Sequence, residues 1–144
     1  MTGKRKISEI RVIRVPIKKG EKTMKANQMK FGTLQIGIVL LTLVTAAVHL
    51  IILNIQMVNI KGSIDPLFTL NGLGYMALLA AYFLPIPVAK NNRKLVRWVY
   101  IGFTILTILA WVVMGTKSGP GASLGYITKI VEAALVVLLW LDRR

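Results

Sequence analysis

The chain has 144 residues, 55% of them hydrophobic, a net charge of +14 and a mean hydropathy of +0.64. A soluble domain of this length carries its apolar residues in far shorter runs, so an ordinary soluble fold is excluded. There is no cysteine, which rules out disulfides, thiolate catalysis, iron–sulfur ligation and cysteine lipidation within this sequence.

Four apolar runs reach the length of about 20 residues that a bilayer requires. They cover residues 34–57, 67–85, 95–114 and 124–141. The expected architecture is all-α: an integral membrane four-helix bundle over residues 31–144, preceded by a basic tail over residues 1–30. No residues remain for a second folded domain. The positive charge invites a nucleic-acid reading, but its distribution argues against one. Ten of the 19 Lys and Arg residues fall in the first 30 positions, Lys90, Arg93, Lys94 and Arg97 sit in the second connection, and Arg143 and Arg144 close the chain. The first and third connections hold only Lys61 and Lys117. This asymmetry is the positive-inside pattern, and it places both termini and the second connection in the cytoplasm. The basic residues are then expected to meet anionic lipid headgroups, at roughly 1 kcal/mol per charge near the surface.

In the tail, Ile7, Ile10, Ile13 and Ile17 recur at three or four residues, while Ile13, Val15 and Ile17 alternate, and Pro16 interrupts both patterns. The expectation is a disordered or surface-bound basic segment. Met24 and Met29 leave a later natural start open.

The first span carries Gln35, Thr42, His49 and Gln56 at intervals of seven. Seven residues fall about 20° short of two helical turns, so the four form one stripe, flanked by Thr45 and Ala46. Unpaired polar groups are costly in hydrocarbon, so the stripe should face protein. Ile38, Leu41, Val48 and Ile52 are assigned to the lipid side. Asp65 should cap the second span, with Pro66 at its first position, and Pro85 should end it. Asn71, Tyr75, Leu78 and Tyr82 share a face of that helix. Gly74, Ala77 and Ala81 form a smooth patch for helix packing.

Asn91 or Asn92 can cap the third span. Trp98 and Tyr100 are expected near the inner headgroups and Trp111 near the outer ones. Thr104 and Thr107 should bond back to their own helix, and this span reads as the most lipid-facing. The last span contains Tyr126, Thr128, Lys129 and Glu132, the last two at the spacing of an ion pair.

Threading the spans alternately brings His49, Asn71, Tyr75, Lys129 and Glu132 to similar depth, with Asn54 and Gln56 nearby. They are expected to form either a structural polar cluster or a small ligand pocket opening outward. His49 is the single histidine. It is a candidate axial ligand for haem or a chlorophyll-type pigment, with Met57 or Met76 as poor second ligands; zinc would need more ligands than His49 and Glu132 provide. No Ser–His–Asp set, HExxH, phosphate loop or dinucleotide glycine pattern is present, so no catalytic residue is assigned.

The stretch Leu67-Phe68-Thr69-Leu70-Asn71-Gly72-Leu73-Gly74-Tyr75 resembles a segment of small four-span membrane proteins of bacteria and archaea, an uncharacterised family of unknown function. Ala46-Ala47-Val48-His49-Leu50, Arg97-Trp98, Trp111-Val112-Val113-Met114-Gly115 and Gly125-Tyr126-Ile127-Thr128-Lys129-Ile130-Val131-Glu132 extend the likeness over about residues 30–142. It implies a shared four-helix membrane fold and no activity. The leading expectation is a non-catalytic accessory or assembly subunit of a larger membrane complex, with lipids and other membrane subunits or further copies of the chain as partners. The alternatives are a small transporter, sensor or binder of a polar or lipid-like molecule, and a haem or pigment subunit ligated by His49.

Overall fold

The structure, a computed structural model, describes residues 32–119 and 121–142. The expectations for the basic tail and for Arg143 and Arg144 fall outside those residues. The first long helix, α1, runs Thr33–Lys61. Within it a π-helical turn, Val48–Ile52, separates the α-helical segments Thr33–Ala47 and Leu53–Lys61. Helix α2 follows at Pro66–Phe83, a single short turn α3 at Pro87–Asn91, α4 at Arg93–Met114 and α5 at Ala122–Leu141. Among the described residues there is no strand. Helices α1, α2, α4 and α5 are each long and apolar enough to cross a membrane.

Local chemistry sets the boundaries. Gly62 ends α1 in the left-handed conformation, φ 73°, and returns its N–H to the Val58 carbonyl, a conformation in which a side chain would be strained. The Asp65 carboxylate accepts from the N–H groups of Leu67 at 2.8 Å and Phe68 at 3.4 Å, with Pro66 in the first position, as the sequence predicts. Leu84 is forced extended, ψ 147°, by the following Pro85. Pro87 then starts α3, which the hydropathy pattern does not anticipate. Asn92 occupies the N-cap position of α4.

The chain reverses direction at each connection. Gln35, Tyr82, Arg97 and Asp142 therefore meet at one end, and residues 62–65 and 115–119 lie at the other. The interior is built from Ile38, Ala46, Tyr75, Tyr82, Tyr100, Leu135 and Leu139. The polar stripe of α1 does face protein: Thr42 and Thr45 are fully buried and His49 nearly so. Two residues assigned to the lipid side do not lie there. Ile38 is fully buried and Val48 nearly so. Ile38 is four residues before Thr42, and Val48 three after Thr45, so both fall within about 60° of the stripe. Tyr100, expected at the headgroups, is also fully buried, its hydroxyl paired with Thr42. Trp98 stays exposed and packs edge-on against Trp140. Helix α4 is the least buried of the four, in agreement with its composition.

Gly72 lets α2 approach α1 closely. A Cβ there would run into the Leu50 side chain and stand 3.2 Å from the Ala46 carbonyl oxygen. The expected packing patch is used only in part. Gly74 is covered by the Phe103 ring and Ala81 is half-buried, but Ala77 faces outward.

Candidate functional site: a polar cluster shared by four helices

Glu132 is at the centre and is fully buried. Its Oε2 accepts from Lys129 Nζ at 2.6 Å, one turn earlier on α5, and from Thr107 Oγ1 on α4 at 3.3 Å. Its Oε1 lies 3.8 Å from His49 Nε2 on α1 and has no hydrogen-bond partner among the described residues. Tyr75 of α2 closes the set, its hydroxyl 2.8 Å from Thr107 Oγ1. Thr107 has one proton, shared in a three-centre bond between the Thr104 carbonyl at 2.8 Å and Glu132 Oε2 at 3.3 Å, neither of which donates. The Tyr75 hydroxyl is therefore the donor to Thr107. Thr104 and Thr107 do bond back to their own helix, as expected, but Thr107 also couples Tyr75 to Glu132.

The π turn sets the direction of His49. Its Nδ1 lies 2.9 Å from the Thr45 carbonyl, which only accepts, so Nδ1 carries hydrogen. The ring packs against Phe68 and Tyr75 of α2, with centroids 6.3 and 6.0 Å away. One extra residue in a turn shifts the phase of the helix beyond it. Asn54 therefore takes the inward place that the seven-residue stripe assigns to Gln56. Asn54 is buried and Gln56 only half-buried. The Asn54 side-chain amide donates to the carbonyls of His49 and Leu50, each at 3.2 Å, and to Thr69 Oγ1 at 3.1 Å. Its oxygen accepts the Asp65 N–H at 2.9 Å. One side chain thus joins the π turn to the cap of α2.

Of the five residues grouped by depth, the structure brings four together: His49, Tyr75, Lys129 and Glu132. Asn71 lies on the same side of α2 as Phe68 and Tyr75, but its buried Oδ1 has no hydrogen-bond partner among the described residues. A groove of about 340 Å³ runs along the C-terminal half of α1, lined by Leu50, Ile51, Asn54, Ile55 and Val58 among others. None of the five cluster residues lines it.

A second polar site, at the end that gathers both ends of the described chain, was not legible beforehand. Asp142 is almost fully buried. Its carboxylate accepts from Tyr82 at 2.9 Å and Gln35 at 3.4 Å, and its backbone carbonyl accepts from Arg97 Nη1 at 2.7 Å. Arg97, grouped with Lys90, Arg93 and Lys94 as a headgroup contact, is instead turned towards α5. Arg93 and Lys94 are exposed, and the Lys90 side chain lies outside the described set. The available signal was a lone acid beside Arg143 and Arg144, at the depth of Tyr82 and Arg97.

Fold and site together define a class: an all-helical protein with four helices suited to crossing a membrane, tied at two levels by buried polar side chains. The chain belongs to a family of unknown function, DUF7475, whose sequence profile matches residues 20–141. The match begins inside the basic segment, about ten residues before the likeness read from the spans. No curated protein and no solved structure matches the chain.

Proposed function

We propose that this is a non-catalytic integral membrane protein, an accessory or assembly subunit of a larger membrane complex, with both chain ends and the 90–97 connection on the cytoplasmic side. The observation that carries the reading is how the interior polar groups are used. At the Asp142 end residues of all four spanning helices bond to one another, and at the Glu132 level side chains of α2, α4 and α5 do, so much of the interior polar chemistry serves cohesion. The outer surface is apolar, with residues such as Leu106, Val113 and Ile130 exposed. Such a face packs against lipid tails or a neighbouring helix equally well. The orientation draws on the charge asymmetry. Of the two lysines at the opposite end, Lys117 is folded back onto the carbonyls of Trp111 and Gly115. Extraction of the full chain in mild detergent, with cross-linking before lysis, is expected to yield it with other membrane subunits or as a homo-oligomer. A monodisperse free monomer would overturn the reading.

A second reading, a small transporter, sensor or binder of a polar or lipid-like molecule, draws on the buried, unpartnered oxygens of Asn71 and Glu132. Ligand density bounded by His49, Asn71, Tyr75 and Glu132 would favour it. A haem or chlorophyll-type pigment on His49 would need Nε2, which now points at Glu132. A visible absorption band in the purified protein would establish that reading.

A further inference from the structure

The geometry points to a buried binding site for a single water molecule between His49 Nε2 and Glu132 Oε1, completing a hydrogen-bonded chain through all four spanning helices. The argument is one of donors and acceptors. The proton on Nδ1 is committed to the Thr45 carbonyl, so in the neutral ring Nε2 is an acceptor. A carboxylate oxygen is also an acceptor. Two acceptors cannot bond each other, and these lie 3.8 Å apart, beyond hydrogen-bond reach. A molecule with two O–H donors satisfies both. From 3.8 Å apart, each partner can be about 2.8 Å from a shared oxygen, the usual O–H···O distance.

Further polar groups lie in the same cluster. A buried water needs two to four polar partners. Besides these two, Thr45 Oγ1 is fully buried, without a hydrogen-bond partner among the described residues, and one turn from His49 on the same face. The Lys129 ammonium, held on the other oxygen of Glu132, has further N–H groups beyond the one it donates there. With the water bound, the chain runs Tyr75, Thr107, Glu132, water, His49 and the Thr45 carbonyl, from α2 through α4 and α5 to α1. This inference concerns the interior alone and holds whichever partners the outer surface meets.

His49 is the only histidine, so its ring signals are unambiguous. The test is ¹⁵N-histidine NMR of the full chain in lipid bilayers at neutral pH, in ammonium-free buffer so that ammonium cannot stand in for water. The expected spectrum shows Nδ1 protonated, Nε2 unprotonated, and magnetisation transfer from water to the ring. A proton on Nε2, or the expected tautomer without the water signal, would overturn the inference on the unsubstituted protein alone. In the double variant Lys129→Met with Glu132→Leu the water loses its carboxylate acceptor, so the water signal at the ring should disappear while Nδ1 stays protonated. An unchanged water signal in that variant would place the water elsewhere and equally overturn it.

Discussion

Glu132 uses its two oxygens differently. One holds Lys129 and Thr107; the other faces His49 across 3.8 Å. The Lys129–Glu132 pair is almost wholly out of solvent, with side-chain exposures of 12% and 0%. Removing one partner of a buried pair leaves an uncompensated charge and costs about 3–5 kcal/mol, whereas replacing both with apolar residues is often neutral. Lys129→Met is therefore expected to lower stability by about 3 kcal/mol or more, and Lys129→Met with Glu132→Leu to recover most of the loss. Reversible unfolding in mixed micelles measures both. Equal losses in the single and double variants would mean that the pair is not coupled. At this scale the sequence was a good guide to which polar residues matter, because charged and polar groups at membrane depth must find each other. It gave no warning that Asn71 would remain unpartnered, or that Arg97 would leave the headgroup set for Asp142. A position on a helix sets depth and direction, not whether a neighbour's side chain arrives.

Helix α1 shows how much one irregular turn decides. Up to Ala47 the seven-residue stripe holds. Beyond the π turn it is out of phase, and Asn54 replaces Gln56 on the inner side. Asn54→Leu would leave the Asp65 N–H without its acceptor and the carbonyls of His49 and Leu50 without their side-chain donor. The expected cost is about 1–3 kcal/mol, with faster hydrogen exchange at the Asp65 amide as the local readout. Two glycines make a paired test of helix packing. Gly72→Ala forces a methyl group against Leu50 and the Ala46 carbonyl and is expected to cost about 1–3 kcal/mol through overpacking. Gly102→Ala meets nothing within 4 Å and should stabilise α4 by about 0.5–1 kcal/mol through helix propensity. If both variants shift unfolding in the same direction, the close contact at Gly72 is not what orders α2 against α1.

For the whole molecule, the cluster around Glu132 and the one around Asp142 tie the same four helices at two depths, which resists both splaying and sliding. The proposed orientation has a direct check, since the chain has no native cysteine. Single cysteines at the exposed positions Ser63, Asn91 and Ser118 report sidedness in intact cells. The expected pattern is labelling of Ser63→Cys and Ser118→Cys by an impermeant maleimide, with Asn91→Cys labelled only after permeabilisation. The reverse pattern would invert the topology and remove the positive-inside argument.

Legible in the residue order alone were the four spanning helices, the ends of α2 at Asp65-Pro66 and Pro85, the inward-facing half of the α1 stripe, and the grouping of His49, Tyr75, Lys129 and Glu132. These follow from hydropathy, proline and capping chemistry and the 100° step of a helix, all of which act within a few residues. Packing across the bundle sets the π turn, the inward place of Asn54, the burial of Ile38 and Tyr100, the contact at Gly72 and the meeting of four helices at Asp142. Most of these depend on a partner on another helix, more than ten residues away in the chain. Packing, rather than local preference, chooses among side chains that the sequence makes equally eligible.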